Sequence, residues 1–180
     1  MKNFPPVGLL RSGLPAATPL RGRVLAALLL LALAGCGSGS HPSDKKLIEN
    51  FQTHKAAFDQ LLRMFLADKG LGRVGEDFTR PENASSVGVN AEGLKAYRRL
   101  FERLGLKGGV EGYDEKDIVL FYASAEGLSV SGSSKGYAYC KQRPPLVVED
   151  LDSYKSPGDK SFTAFRHLEG NWYLFFERED

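Results

Sequence analysis

An apolar run near the amino terminus constrains this chain more than any other feature. Val24–Ala34 holds eleven apolar residues, mostly Leu and Ala, and it follows directly after Arg21 and Arg23. A bilayer-spanning helix needs roughly 20 apolar residues, whereas the core of a secretory signal has roughly 7–15. A positive flank before such a core holds its start on the cytoplasmic side. The run therefore predicts a targeting segment rather than a membrane span or a helix of the folded domain.

The residues that close this run are Leu33-Ala34-Gly35-Cys36. They resemble the lipobox of bacterial lipoprotein precursors. The resemblance implies cleavage between Gly35 and Cys36, diacylation of the Cys36 sulfur and a mature protein that starts at Cys36. In that family an Asp after the lipidated Cys commonly holds the protein in the inner membrane, and here Gly37 occupies this place. We therefore expect a lipid-anchored protein of the cell envelope, at the periplasmic face of the outer membrane.

The sequence divides into three predicted parts. Residues 1–35 are the signal peptide, residues 36–43 are the lipidated Cys and a flexible tether, and residues 44–180 are a single globular domain. A Gly/Ser-rich tether of this length has a root-mean-square reach of about 15 Å. We therefore expect the domain to work close to its membrane.

Charge and cysteine content exclude two classes of protein. Removing residues 1–35 takes away four of the 24 basic residues and none of the 22 acidic ones, which leaves a net charge of −2. This balance argues against nucleic acid as a partner, because no basic stripe is present to displace phosphate counterions. Cys36 and Cys140 are the two cysteines, so no disulfide framework is expected within the chain. Strand alternation places Cys140 with Ala138, opposite two tyrosines, as a small buried residue.

Two amphipathic helices are predicted in the first half of the domain. Ser43 is a candidate N-cap for a helix that begins at Asp44, and apolar residues recur along it at three- and four-residue spacings. Asn90 is a candidate N-cap for a second helix that runs to Leu104. Glycines follow both runs and end them. The apolar face of the first helix comprises Leu47, Phe51, Phe58, Leu62 and Phe65.

A change to strand periodicity after Asp117 predicts a meander. Its strands are expected at Ile118–Ala123, at Leu128–Ser131 and from Tyr137 to Lys141, joined by turns at residues 125–127 and 134–136. The segment from Gly132 to Gly136 superficially resembles a phosphate-binding loop, but it lacks the long glycine spacing and is better interpreted as a hairpin turn. The serines at 129, 131, 133 and 134 lack a nucleophile elbow and are assigned to the solvent face of the sheet.

A closing hairpin is predicted at the end of the chain. Its strands run from Phe162 to Leu168 and from Asn171 to Glu177, whereas the segment from Leu146 to Tyr154 is ambiguous between strand and short helix. The run Trp172–Phe176 is apolar on both faces and is expected inside the sheet or beneath a helix. These elements predict an α+β domain, with two N-terminal helices packed on an antiparallel sheet of about five strands.

Two general resemblances accompany this fold prediction. A helical start with a final hairpin that contains Gly170-Asn171-Trp172-Tyr173 is similar to the cystatin and nuclear-transport-factor-like folds, and this likeness implies no function. The segments at residues 132–139 and 167–174 resemble a group of small proteobacterial lipoproteins of unknown function. That resemblance covers nearly all of residues 43–177 and implies no active site.

Residues able to catalyse a reaction or bind a metal are sparse. His41 falls in the tether, His54 lies on or beside the apolar face of the first helix, and His167 lies in the closing hairpin. No two of them stand at the spacing that zinc sites favour. The acidic runs at residues 114–117 and 149–152 lack the spacing of a calcium loop. We therefore expect no catalytic residue, no metal and no cofactor.

The sequence predicts a non-enzymatic envelope lipoprotein that binds another protein at the membrane surface. An immunity or inhibitor role against an envelope-acting toxin is one form of this function, and we expect a monomer held to the membrane by its lipid. The alternative is a small enzyme or ligand binder that has a pocket between helices and sheet and uses His54 or His167. A polar pocket reached by either histidine favours the alternative, whereas a filled interior favours the first prediction.

Overall fold

The computed structural model describes residues 41–113, 116–128, 131–158 and 161–179. Within these ranges, no helix combines the length and the hydropathy that crossing a bilayer requires.

Helix α1 spans Asp44–Ala67 and begins where the sequence predicts. The Ser43 hydroxyl accepts the Lys46 backbone N–H at 3.4 Å, and the Asp44 carboxylate lies in the first turn, where the helix dipole favours negative charge. Its buried face includes the apolar residues that the spacing indicated. At His54 the backbone departs from helical geometry, with φ −118° and ψ 17°, which marks a kink.

Helix α2 spans Ala91–Leu104 and also confirms its predicted ends. The Asn90 side chain accepts the Gly93 backbone N–H at 2.9 Å. Gly105 ends the helix in the left-handed conformation, with φ 68°, and glycine reaches this region without a steric cost. A short 3₁₀ helix, Ala84–Val87, precedes α2.

Among the described residues, the sheet contains seven antiparallel strands in the order β2-β1-β3-β4-β5-β7-β6. The strands are β1 Arg73–Val74, β2 Thr79–Arg80, β3 Gly109–Tyr113, β4 Ile118–Leu128, β5 Ser131–Cys140, β6 Phe162–Glu169 and β7 Trp172–Glu179. The α+β class and the two N-terminal helices are confirmed, whereas the expectation of about five strands is too low. The closing hairpin is confirmed as β6 and β7.

The predicted turns within the meander are wrong. The segment at residues 125–127 continues β4, and the segment from Gly132 to Gly136 lies inside β5, where Glu126 pairs with Ser133. The register shifts between Tyr122 and Ser124, so a bulge near Ala123 lets one long hairpin twist where the sequence indicated separate strands. Gly136 reflects close packing rather than a turn, because a Cβ there would lie 2.0 Å from the Phe121 carbonyl oxygen.

An aromatic core fills the space between the helices and the sheet. The Phe58 and Tyr137 ring centroids are 4.4 Å apart, and the Trp172 ring lies 5.3 Å from Phe121 and 5.4 Å from Phe51. Trp172 is buried, as the sequence predicts. Burying several aromatic rings together provides much of the stability of a small domain.

A second apolar cluster lies on the opposite face of the sheet. Tyr173 and Phe175 point there while Trp172 and Leu174 join the helix-side core, so β7 is apolar on both faces, as predicted. The ambiguous segment from Leu146 to Tyr154 forms neither a helix nor a named strand, and its Val147 makes one isolated parallel bridge to β6. The other members of the outer cluster are Leu120, Tyr122, Ala138, Cys140 and Phe165.

Candidate functional site

The predicted lipidation and cleavage residues, Cys36 and Gly35, lie outside the described residues. The predicted tether reaches into the described part at its end. There the His41 ring bonds the hydroxyl oxygens of Ser124 and Ser133, each at 2.7 Å, and lies 5.4 Å from the Phe176 ring. Burial lowers the pKa of His41, and nearby Lys135 lowers it further against the opposing effect of Glu126. His41 is therefore attached to the sheet, although the sequence placed it in a flexible tether.

The two histidines of the pocket hypothesis occupy separate places. His54 is partly exposed at the kink of α1. His167 is exposed, its Nε2 lies 3.0 Å from the Gly170 carbonyl oxygen, and its ring packs edge-on against Tyr173 at 5.1 Å. The structure does not bring these two residues into a common site.

Cys140 is buried in the outer apolar cluster, as the strand alternation predicts. Burial raises the pKa of its thiol to about 11, so the nucleophilic thiolate is disfavoured at neutral pH. The Cys140 environment is therefore that of a structural residue.

One of the two acidic runs contributes to a cluster of carboxylates. Asp114 and Glu115 lie outside the described residues. Carboxylate oxygens of Asp44, Asp150 and Asp152 lie within 4.8 Å of one another. Lys135 and Arg166 pair with two of these carboxylates, Asp44 and Asp152, so the group is largely but not fully neutralised.

Asp44 is the centre of that group, which we term the inner carboxylate network. Its Oδ1 lies 2.7 Å from the Lys135 Nζ, and its Oδ2 accepts the Arg166 guanidinium at 2.8 Å and the Leu151 backbone N–H at 2.9 Å. Asp152 binds the Lys135 ammonium and accepts the Asp44 backbone N–H at 2.9 Å. The network joins the start of α1 to β5, β6 and the segment before β6.

The inner carboxylate network keeps Asp44 ionised. Burial alone would raise the pKa of this carboxyl, but bonds from Lys135, Arg166 and the Leu151 N–H outweigh burial and hold the pKa below its ordinary value. Asp44 and Lys135 are 2% and 3% exposed. Both charges are enclosed and paired, so the network is structural in character.

A second buried carboxylate, Glu111, lies on the outer face of the sheet and has a different setting. Its Oε2 lies 3.1 Å from an Arg73 nitrogen and accepts the Tyr122 hydroxyl at 3.1 Å, and its Oε1 accepts an Arg80 nitrogen at 3.2 Å. The Tyr113 and Tyr122 hydroxyl oxygens are 3.2 Å apart. These bonds form a row that runs from β2 across the sheet to an exposed tyrosine.

We term the open depression at this row the outer groove. Its volume is about 510 Å³, and the groove extends along the outer face of the β4–β5 hairpin to the end of β7. The side chains that give it chemical character are Arg73, Glu111, Tyr113, Tyr122, Glu126, Glu177 and Glu179.

Aromatic rings hold the basic side of the outer groove. The Arg73 guanidinium lies 5.1 Å from the Phe78 ring and 5.2 Å from the Tyr122 ring, so it is stacked between them while it pairs with Glu111. Phe78 is 46% exposed. Guanidinium stacking of this kind fixes the plane of the arginine and orients its donors.

Titration behaviour reflects the acidic character of the outer groove. Burial raises the pKa of Glu177, as do Glu179 and Glu111, although a bond from Ser134 acts in the opposite direction. Burial also raises the pKa of Tyr122, so its hydroxyl stays protonated and donates to Glu111. The groove therefore presents a protonated tyrosine pair beside several carboxylates.

A cleft of about 640 Å³ lies between the helices and the sheet on the other side of the β4–β5 hairpin. At its floor Asn50 donates to the Tyr137 hydroxyl at 2.8 Å and to the Leu104 carbonyl at 3.0 Å, and the Tyr137 hydroxyl donates to the Leu47 carbonyl at 3.2 Å. These polar groups satisfy one another. Burial raises the pKa of Tyr137 to about 12. Neither His54 nor His167 lines this cleft.

The sequence did not indicate the outer groove. Glu111, Arg73 and Arg80 stand on three short strands whose polar and glycine-rich sequences carry no strand periodicity. Tyr122 falls in a predicted strand, but its partner Glu111 is identified only by the pairing of β3 with β4. The described chain matches no known family model, no curated protein and no solved structure.

Proposed function

We propose that this chain is a non-enzymatic, lipid-anchored envelope protein that binds a partner protein through the outer groove. The observation that carries the proposal is the row from Arg80 through Glu111 and Tyr122 to Tyr113, which orders charged and aromatic groups at the surface. Tyr113 is 42% exposed at the open end of this row. Tyrosine and arginine are enriched where proteins bind one another, because they combine large contact area with hydrogen bonding.

The charge of the outer groove specifies the partner's chemistry. Glu126, Glu177 and Glu179 line it, and Arg73 is engaged with Glu111. A partner segment with lysine or arginine side chains would be attracted by these carboxylates and would offset the repulsion from Glu179 and Glu111 that adds to burial in raising the pKa of Glu177. We therefore propose a basic surface segment of an envelope protein as the partner.

The interior supports a binding role over the pocket alternative. The rings of Phe58, Phe121, Tyr137 and Trp172 pack beneath the helices beside the cleft, and the polar groups on the floor of the cleft are bonded to one another. The histidines on which the alternative rests lie away from that cleft. An inhibitor or immunity role remains one form of this proposal, and the identity of the partner decides it.

Site-specific crosslinking in cells tests the proposed surface. A photo-crosslinking amino acid in place of Tyr113 is expected to give one discrete protein adduct in the envelope, identified by mass spectrometry. The matched control is the same substitution at Gln52, which is exposed on α1. Loss of the Tyr113 adduct on Glu177→Lys supports an acidic recognition surface. Equal adducts from both positions, or none at Tyr113, would contradict the proposal.

Mass spectrometry of the purified protein tests the anchor separately. We expect a mature amino terminus at Cys36 that carries acyl groups and co-fractionates with outer-membrane markers. Cys36→Ser should release the protein from the membrane while the domain retains a cooperative unfolding transition. An unacylated Cys36 in membrane-bound protein would overturn the lipid anchor and leave the groove test intact.

A further inference from the structure

The position of His41 fixes where the chain leaves the domain toward Cys36. His41 is bonded to Ser124 on β4 and to Ser133 on β5, near the far end of the β4–β5 hairpin. The five residues from Cys36 to His41 span at most about 18 Å when fully extended. Any membrane that holds Cys36 therefore lies within about 18 Å of this end of the domain.

The cleft between helices and sheet opens at the same end. Pro42, the residue after His41, is part of its lining, together with Ser124. Two exposed lysines stand on its rim: Lys46, in the first turn of α1, and Lys107, just after α2. Neither lysine has an ion-pair partner among the residues that the structure describes.

Fold stability does not account for Lys46. Lys45 and Lys46 follow Asp44 in the first turn of α1, where the helix dipole disfavours positive charge. Lys45 reaches Glu49 only at 4.0 Å, with both side chains largely exposed. Two lysines at this place are explained by an anionic surface opposite them rather than by the helix itself.

The two depressions beside the β4–β5 hairpin are edged by side chains of opposite charge. The outer groove is lined by Glu177 and Glu179, whereas the rim of the cleft carries Lys46 and Lys107. Glu126 lies at the border and lines both. An anionic surface is repelled by the first depression and attracted by the second, so charge selects the cleft rim.

We propose that the rim of the cleft at Pro42, Lys46 and Lys107 docks on the anionic headgroups of the membrane that holds the protein. The proposal rests on the proposed lipid anchor. The anchor keeps the membrane at a high local concentration, so two lysines are enough to dock the domain on its surface. Each lysine near an anionic surface shifts the docked population about fivefold. Docking at this rim turns the outer groove away from the headgroups, where a partner can reach Tyr113.

Hydrogen exchange on tethered protein tests this orientation. The mature chain is coupled through Cys36 to a maleimide lipid, a reaction that leaves buried Cys140 untouched. The lipid is placed in vesicles of phosphatidylcholine alone or of phosphatidylcholine with phosphatidylglycerol. We expect slower amide exchange at residues 43–47 and 105–108 in the phosphatidylglycerol vesicles, and reversal of this effect by high salt. Tethering by maleimide makes the result independent of whether the cell acylates Cys36.

Charge reversal at the rim of the cleft is compared with charge reversal just past the far end of α1. Lys46→Glu with Lys107→Glu should abolish the difference between the two vesicle types. Lys69→Glu makes the same kind of charge change just past the other end of α1, roughly 30 Å away, and should preserve the difference. The proposal is overturned by equal exchange in both vesicle types, by equal sensitivity to all three changes, or by protection that requires an added envelope protein.

Discussion

Asp44 and Glu111 are both buried carboxylates held by two cationic side chains, and they differ in what surrounds the pair. Asp44 is 2% exposed, and its partner Lys135 is also enclosed, at 3%. Glu111 is 5% exposed, but its partner Arg80 has a side chain that is 71% exposed, and Tyr122 connects it to the groove. The pair of Asp44 with Lys135 therefore lies in the interior, whereas the pair of Glu111 with Arg80 extends to the surface.

This difference separates a structural charge from a candidate site. In the inner carboxylate network Asp44 and Lys135 are enclosed and paired with each other, and the network reaches solvent at Asp152 and Arg166. The outer row ends at Tyr113, which is exposed and lies beside further carboxylates that repel one another. The two carboxylates therefore differ in the exposure of the groups bonded to them, which is greatest at Arg80, and the following changes measure that difference.

Removing Asp44 should have the largest effect on stability. Asp44→Ala leaves Lys135 buried with one remaining carboxylate partner, and breaking a buried pair in this way costs about 3–5 kcal/mol. Urea unfolding measures the loss. Glu49→Ala is the control on the same helix, and its exposed pair should contribute less than about 0.5 kcal/mol. Similar losses for the two variants would show that the inner network is not a stabilising unit.

The Asp44 contribution should also depend on pH in a defined direction. The network lowers the folded-state pKa of Asp44, so its contribution is fully present above the ordinary value of 3.8 and is lost as the pH falls through the folded value. The stability difference between the natural protein and Asp44→Asn should therefore shrink only below about pH 4. A difference that shrinks between pH 5 and 7 would assign the effect to another group.

Compared with removing Asp44, removing Glu111 should lower the stability of the fold less and weaken the binding of the partner more. Glu111→Ala costs about 1–3 kcal/mol, because the Tyr122 hydroxyl loses its acceptor while Arg73 and Arg80 can turn toward water. The crosslink from position 113 should weaken, since Glu111 no longer holds Arg73 and Tyr122 in place along the outer groove. Urea unfolding and crosslinking are measured on the same variant. A loss as large as that of Asp44→Ala would remove the distinction between the two carboxylates.

Glu177→Gln should stabilise the protein slightly at neutral pH. The folded protein raises the pKa of Glu177, so the ionised form opposes folding above the ordinary value of 4.5. Gln retains an oxygen that can accept the Ser134 hydroxyl, which isolates the charge from the hydrogen bond. Thermal unfolding should show the gain at pH 7 and its disappearance below about pH 4.5. A gain that persists at low pH would point to packing instead of charge.

The smallest changes are expected at the two histidines of the pocket alternative. His54→Ala and His167→Ala should each alter the free energy of unfolding by less than about 0.5 kcal/mol, as is usual for surface substitutions. Crosslinking from Tyr113 should be unchanged. If either variant unfolds like the natural protein and yet loses its envelope phenotype, the result would favour the alternative function, a small enzyme or ligand binder that uses that histidine.

The sequence alone predicts those elements whose ends and faces are determined by nearby residues. Ser43 and Asn90 mark the helix starts by capping chemistry, and the apolar run from Trp172 indicates a strand buried on both faces. The sequence does not predict the β4–β5 hairpin, because glycine and serine in these strands also favour turns. Gly136 is required because the Phe121 backbone of the neighbouring strand lies too close for a side chain, and this contact is not visible in the sequence.

Both carboxylate sites depend on contacts between distant parts of the chain. Asp44 and Arg166 are 122 residues apart, and Arg80 reaches Glu111 because the short strand β1 pairs with the strands of both. Hydrophobic periodicity carries no information about such polar pairs. Lys135 illustrates the limit, because its serine- and glycine-rich neighbours indicate an exposed turn, whereas the paired strand directs its ammonium into the interior.

The attachment at His41 has a mechanical consequence. A pull on the chain from its amino-terminal side first loads the two hydrogen bonds that join His41 to β4 and β5. If these yield, the load passes to Asp44, whose bonds to Lys135 and Arg166 distribute it over two strands. Tension applied from the amino-terminal side would therefore be spread across the sheet instead of peeling α1 away from its first turn.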